Sequence, residues 1–176
     1  MHLLIILILN ILIHKLIKAK HRYPLEFIIT MIYLCFLALP NLSLIEYLFI
    51  ISFYIATLCD IFFSEIYSIN IHIIGLLAFI IYIQRPIALS EIVAAFLLPS
   101  ILLIINKKYK EIIGVGDLEV LAYCAFIMGL EIYDAFYLSY LLLGIYILLS
   151  LPFKKLNDSY PLIPFLSLAI LIVYFR

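Results

Sequence analysis

The sequence predicts an all-α, polytopic membrane protein: a single domain over residues 1–176, about eight transmembrane helices, both termini extracytoplasmic. Three observations predict it. The chain is 68% hydrophobic and 12% charged, with a mean hydropathy of +1.29, whereas soluble domains carry about a quarter charged residues. Long apolar stretches recur from end to end, as in helices that cross lipid and unlike the short alternating segments of a membrane barrel. The basic residues, finally, collect in alternate loops.

Polar, Pro and Gly punctuation leaves apolar segments near 3–14, 25–39, 44–60, 70–84, 88–105, 117–130, 133–151 and 161–175. The first closes on Lys15, Lys18, Lys20 and Arg22. It has no basic region before it and no small-residue cleavage site after it, so it is expected to be a retained span rather than a signal peptide. The second opens beside Pro24, and the third runs from near Glu46 to Asp60. The fourth stops at Arg85, and the fifth lies between Glu91 and the cluster Lys107, Lys108 and Lys110. The sixth begins at Asp117, the seventh lies between Glu131 or Asp134 and Lys154, and the eighth follows Pro161. Several fall short of the ~20 residues that cross a bilayer, a gap that flanking Tyr and Lys can fill.

Alternating these segments places Lys15, Lys18, Lys20, Arg22, Lys107, Lys108, Lys110, Lys154 and Lys155 on one side, nine of the eleven Lys and Arg, against Arg85 and Arg176 on the other. Basic residues mark the cytoplasmic side. The loops near 15–24, 61–69, 106–116 and 152–160 are therefore expected in the cytoplasm, in a cell-membrane protein with several passes. Glu46, Glu91, Glu131 and Asp134 are expected at the outer interface.

Several functions find no support. Formal net charge is +0 and there is no basic tail, so nucleic acid is not an expected partner. Cys35, Cys59 and Cys124 form no Cys-x-x-Cys and read as small core or lipid-facing residues. His2, His14, His21 and His72 form no ligand cluster, so neither a metal nor another cofactor is expected.

The acids at the inner edge are more informative. Asp60 ends the third segment and Asp117 opens the sixth, so the topology puts both at one depth although 57 residues separate them. A carboxylate at the centre of a membrane helix costs about 2.5–3.5 kcal/mol, less near the interface, and usually faces a functional interior. Two carboxyls held close cannot both ionise cheaply and share a proton. One then takes a proton from water while the other polarises a carbonyl. Gly114 and Gly116 just before Asp117 permit close backbone approach. Taken singly, Asp117 is equally a helix cap and Asp60 a solvated helix end, and Gly-x-Gly-Asp is a short motif. A proton relay in a small transporter or assembly component also uses membrane acids, at midplane depth rather than the inner edge. Glu65, five residues past Asp60, reads first as solvated. Glu119, two residues past Asp117, lies on a different helix face and either shifts the pair's acidity or meets the positive helix end.

The stretch "GVGDLEVLAYCAFIMGL" resembles the Gly-x-Gly-Asp signature of the type IV prepilin peptidases, the intramembrane aspartic peptidases of pili, competence and related protein secretion systems. In "CDIFFSEIYSINIHIIGLL", Asp60 and Ile66 match the family's first aspartate and the Ile of its Ile-Pro-Asp/Asn element. Tyr67 and Ser68 stand where Pro and Asp/Asn are usual, and Leu118, Glu119 and Val120 follow the second aspartate instead of x-Lys-Leu. "YPLIPFLSLA" is similar to a C-terminal family segment through Pro161, Pro164, Phe165, Leu166, Leu168 and Ala169. "LNILIHKLI" and "HRYPLEFIIT" resemble the end of the first span and the opening of the second, the latter through Arg22, Tyr23, Pro24 and Leu25, with Glu26 one place early. Where long members carry two Cys-x-x-Cys pairs between these landmarks, this chain has "KAKH". The resemblance implies a short, competence-type form without the zinc-binding loop, in which N-methyl transfer is not expected. It implies catalysis by Asp60 and Asp117 with Gly114 and Gly116 as motif backbone, and substrates that join a basic leader to an apolar helix. Presenilin-like proteases share Gly-x-Gly-Asp but usually carry Tyr-Asp and Pro-Ala-Leu; here Cys59 precedes Asp60 and that triplet is missing.

Overall fold

The computed structural model describes residues 23–63, 68–109, 113–150 and 162–176, which are helical throughout apart from short connections. The helices are α1 (Tyr23–Leu37), α2 (Leu44–Phe63), α3 (Ser68–Gln84), α4 (Leu89–Tyr109), α5 (Val115–Met128), α6 (Glu131–Ser150) and α7 (Ile163–Tyr174). They match seven of the eight expected segments; the segment at 3–14 lies outside the described residues. Three stretches are long and apolar enough to cross a membrane: Leu44–Ile61, Leu89–Tyr109 and Val115–Leu149, the last spanning α5 and α6. α3 and α7 are shorter apolar helices.

The bundle is organised around its last helix. α7 packs on α2, α5 and α6, and only Ile172 along its length is exposed. Its direction follows from its ends. Ile163 meets Asp60 near the finish of α2, whereas Tyr174 meets Glu46 near its start, so the two helices run antiparallel. α3 packs on α2 and α5, and α4 on α5 and α6. α4 turns apolar residues such as Val93, Leu97, Ile101 and Ile104 outward, which suits a lipid-facing helix.

Glu46, expected at the outer end of its helix, is enclosed by partners from three elements. It is 4% exposed and forms a capping box with Ser43, whose N–H donates to Oε2 at 2.7 Å while the Glu46 N–H donates to Ser43 Oγ at 3.2 Å. Arg85 of the α3–α4 connection pairs with Oε1 at 3.1 Å, and the Tyr174 hydroxyl donates to the same oxygen at 3.3 Å. One acid thus joins α2, α3 and α7 at the end of the bundle away from Asp60. Glu131 and Asp134 remain exposed and share Arg176.

Close packing of α3 on α5 depends on Gly75. A Cβ there would lie 2.8 Å from the Tyr123 ring, so the bare backbone forms the floor on which the ring rests. Gly75→Leu is expected to destabilise the bundle by about 1–3 kcal/mol through overpacking, read as a lower Tm in detergent.

Candidate active site

Asp60 projects from the last turn of α2 and is 8% exposed. Its Oδ2 accepts a hydrogen bond from the Ile163 N–H at 3.2 Å. The sequence at α7 explains why. A helix start leaves backbone N–H groups without intrahelical partners, and Leu162 at the N-cap has no side chain to cap them. Pro164 has no N–H to offer, and the N–H groups of Phe165 and Leu166 go to the Leu162 carbonyl at 3.1 and 2.9 Å. Ile163 keeps its donor, and Asp60 caps it from another helix.

The first turn of α7 is fixed by a buried cluster of hydroxyls. Tyr33 of α1 donates to Ser167 Oγ at 2.7 Å, and Ser167 donates to the Pro164 carbonyl at 3.2 Å. Thr57 Oγ1, one helical turn before Asp60, lies 3.0 Å from the Tyr33 hydroxyl and 2.9 Å from Ser167 Oγ. Each such bond contributes only about 0.6 kcal/mol on average between membrane helices. The value of the cluster is geometric, since it holds α7 in register so that Ile163 faces Asp60.

Asp117 is also 8% exposed. It occupies the third position of α5, after Gly114 at the N-cap, Val115 and Gly116. Its carboxylate turns back on the motif and lies against the Gly114 backbone. A Cβ on Gly114 would come within 2.9 Å of Asp117 Oδ2, so glycine leaves that space to the carboxylate. Asp117 thus lies over the first turn of its helix and near enough to Asp60 for the two charges to interact. Tyr140 of α6 is within range of the same charge.

The backbone at Ile113, just ahead of the motif, is held by Asn106, a residue that the sequence pattern does not single out. Asn106, buried in the last turns of α4, donates through Nδ2 to the Ile113 carbonyl at 2.6 Å, and its Oδ1 accepts from the Ile113 N–H at 3.1 Å. The side-chain amide thereby pairs with the backbone just before Gly114. The available signal was an amide in an apolar run seven residues before Ile113. Asn106→Ala leaves both backbone groups without these bonds, at a cost of about 1–3 kcal/mol. Faster hydrogen exchange at the Ile113 amide is the expected reading.

Of the other sequence candidates, Ser68 begins α3 and is exposed, while Glu65, Ile66, Tyr67 and Lys110 lie outside the described residues. Lys107 and Lys108 close α4. Glu119 is half-buried on the side of α5 that faces α4, away from the two aspartates. Comparison with protein-family models, with curated proteins and with solved structures returns no match.

Chemically, the arrangement offers two buried carboxyl groups whose charges oppose each other, a state eased when the pair holds a single proton. Both sit at element ends, Asp60 beside the buried start of α7 and Asp117 beside the exposed Gly114.

Proposed function

We propose that the chain is an intramembrane aspartic endopeptidase of the type IV prepilin peptidase kind, in a short, competence-type form. It removes the leader from prepilin-like proteins, whose basic leader stays in the cytoplasm while the following apolar helix lies in the bilayer. The observation that carries this reading is that Asp60 and Asp117, on helices far apart in sequence, are both buried and lie within range of each other's charge. The Gly114 turn, with its carboxylate folded over bare backbone, supports it further.

In this reading the chain crosses the membrane eight times with both termini outside, as the nine-to-two distribution of basic residues favours. The aspartates then face the cytoplasm, where the leader is. The ionised carboxylate takes a proton from water, and the resulting hydroxide attacks the scissile carbonyl while the protonated carboxyl donates a hydrogen bond to its oxygen. Collapse of the tetrahedral intermediate transfers a proton to the leaving amine. The products are a leader with a new carboxylate and a mature helix with a new N-terminus, and no covalent intermediate forms.

The test is incubation of the purified protein in vesicles with a panel of prepilin-like substrates, followed by the intact masses of both products. The expected result is one cut between leader and apolar helix. An inert protein on every leader, or cuts scattered within the helix, counts against the reading.

A further inference from the structure

The start of α5 presents acids in two directions. Residues two apart on a helix point about 200° apart, so Asp117 faces Asp60 while Glu119 faces a groove of about 250 Å³ between α4 and α5. Phe96, Pro99 and Leu103 of α4 form one wall, and Val115 and Ala122 of α5 the other. Ser100 also lines the groove, but its hydroxyl donates to the Phe96 carbonyl at 2.7 Å. The Glu119 carboxylate is thus the charged group on an otherwise apolar surface. Among the described residues no Lys or Arg pairs with it. Lys108, at the nearby end of α4, lies instead over the Tyr109 ring, 5.3 Å from its centroid.

We infer that this groove is a subsite for one basic side chain of the polypeptide on which the aspartates act. The inference rests on the peptidase reading for the identity of that polypeptide, but not for the chemistry of the groove. A Lys or Arg has an apolar stem ending in a cation, which is the complement of apolar walls that end in a carboxylate. A lipid chain or an unbroken apolar helix leaves the carboxylate without a counter-charge. At about 250 Å³ the groove is smaller than the ~300–1,000 Å³ sites that hold whole ligands, and it suits a single long side chain. Its position bears on specificity. Val115 lines the groove and lies between Gly114 and Gly116, so a peptide anchored here runs along the motif backbone with the scissile bond a few residues from its basic residue.

The experiment uses the full chain in nanodiscs and a synthetic peptide in which a Lys-containing flank precedes a Leu–Ala helix of about 20 residues. In a matched series each Lys is replaced in turn by norleucine, which keeps the stem and removes the charge. Binding is measured for the unmodified protein, Glu119→Gln and Glu119→Lys, each also carrying Asp60→Asn and Asp117→Asn so that binding is read without cleavage. At one peptide position norleucine is expected to weaken binding to the unmodified protein by about 5–10-fold, as for a partly buried ion pair. Glu119→Gln should bind both forms alike there, and Glu119→Lys should prefer a peptide with Glu at that position. Equal norleucine penalties with and without the Glu119 carboxylate overturn the subsite, as does a Glu119→Gln loss that is uniform across the series. Displacement of the peptide by phosphatidylethanolamine regardless of peptide charge assigns the groove to a lipid amine and also overturns it. The same peptides are then assayed for cleavage by the protein with both aspartates intact: charge-dependent binding without cleavage supports the subsite while removing the peptidase reading, and cleavage without charge coupling does the reverse.

Discussion

Asp60→Asn and Asp117→Asn are each expected to lower kcat/KM for leader removal by about 10²–10⁴-fold, the range assigned to a positioned general acid or base. The loss should fall in kcat, because a group that acts only in the transition state leaves substrate binding largely intact. Asparagine suits the test because it preserves local structure. Its Oδ1 can still accept the Ile163 N–H at position 60, and at position 117 it keeps the shape that lies against Gly114, yet it neither takes nor gives the catalytic proton. Removing one of two opposed charges also relieves repulsion, so stability should change by less than about 1 kcal/mol, within the range of most mild substitutions. Initial rates and melting temperatures measured together separate these effects. A variant that melts like the parent and keeps most of its activity rules out a role for that aspartate.

The second large effect is expected at Gly114. Its backbone, with φ −57° and ψ 142°, is open to any residue, so Gly114→Ala carries no conformational strain. What alanine adds is a methyl group 2.9 Å from Asp117 Oδ2, closer than such atoms approach without one of them moving. The carboxylate is the freer of the two and should swing away. A displacement of about 1 Å in a catalytic group can cost 10²-fold in rate. Gly114→Ala is therefore expected to lower kcat by about 10–100-fold with little change in Tm. Equal activity in the alanine variant, checked by the same leader-removal rates, would show that the close contact has no functional weight.

These residues mark how far the sequence could be read. Asp60 in the last turn of α2 and Asp117 in the first turn of α5 are legible because apolar segments of helical length end at punctuation beside each acid. The seven described helices follow the segment limits to within a few residues; α2 runs on to Phe63 and α5 starts at Val115, so both acids lie within helix rather than beyond it. The central place of α7 was not legible. It is an apolar helix among apolar helices, and nothing in its pattern separates a surface toward protein from one toward lipid. The hydroxyl cluster escaped for a related reason. Tyr33, Thr57 and Ser167 are separated by 24 and 110 residues, and a single hydroxyl in an apolar run gives no sign of its partner. Position alone places Glu46 at a helix end, whereas its burial depends on Arg85 and Tyr174 arriving from other elements.

α7 links these findings. At one end the Ile163 N–H meets Asp60, and at the other Tyr174 reaches the Glu46–Arg85 pair. A helix held at both ends and buried along its length is a rigid reference against which α2 and α5 place their acids. Catalytic groups supported in this way keep their geometry better than groups carried on free loops.

The central claim is that Asp60 and Asp117 act as one unit, and leader-removal rates for Asp60→Asn, Asp117→Asn and the double variant side by side test it most directly. Residues that share one catalytic task are grossly non-additive, so that a second loss adds little to the first. For a shared task the double variant is expected to be no slower than the slower single variant, with all three proteins inserted and folded. Losses that multiply in the double variant would mean two independent roles and would contradict the dyad.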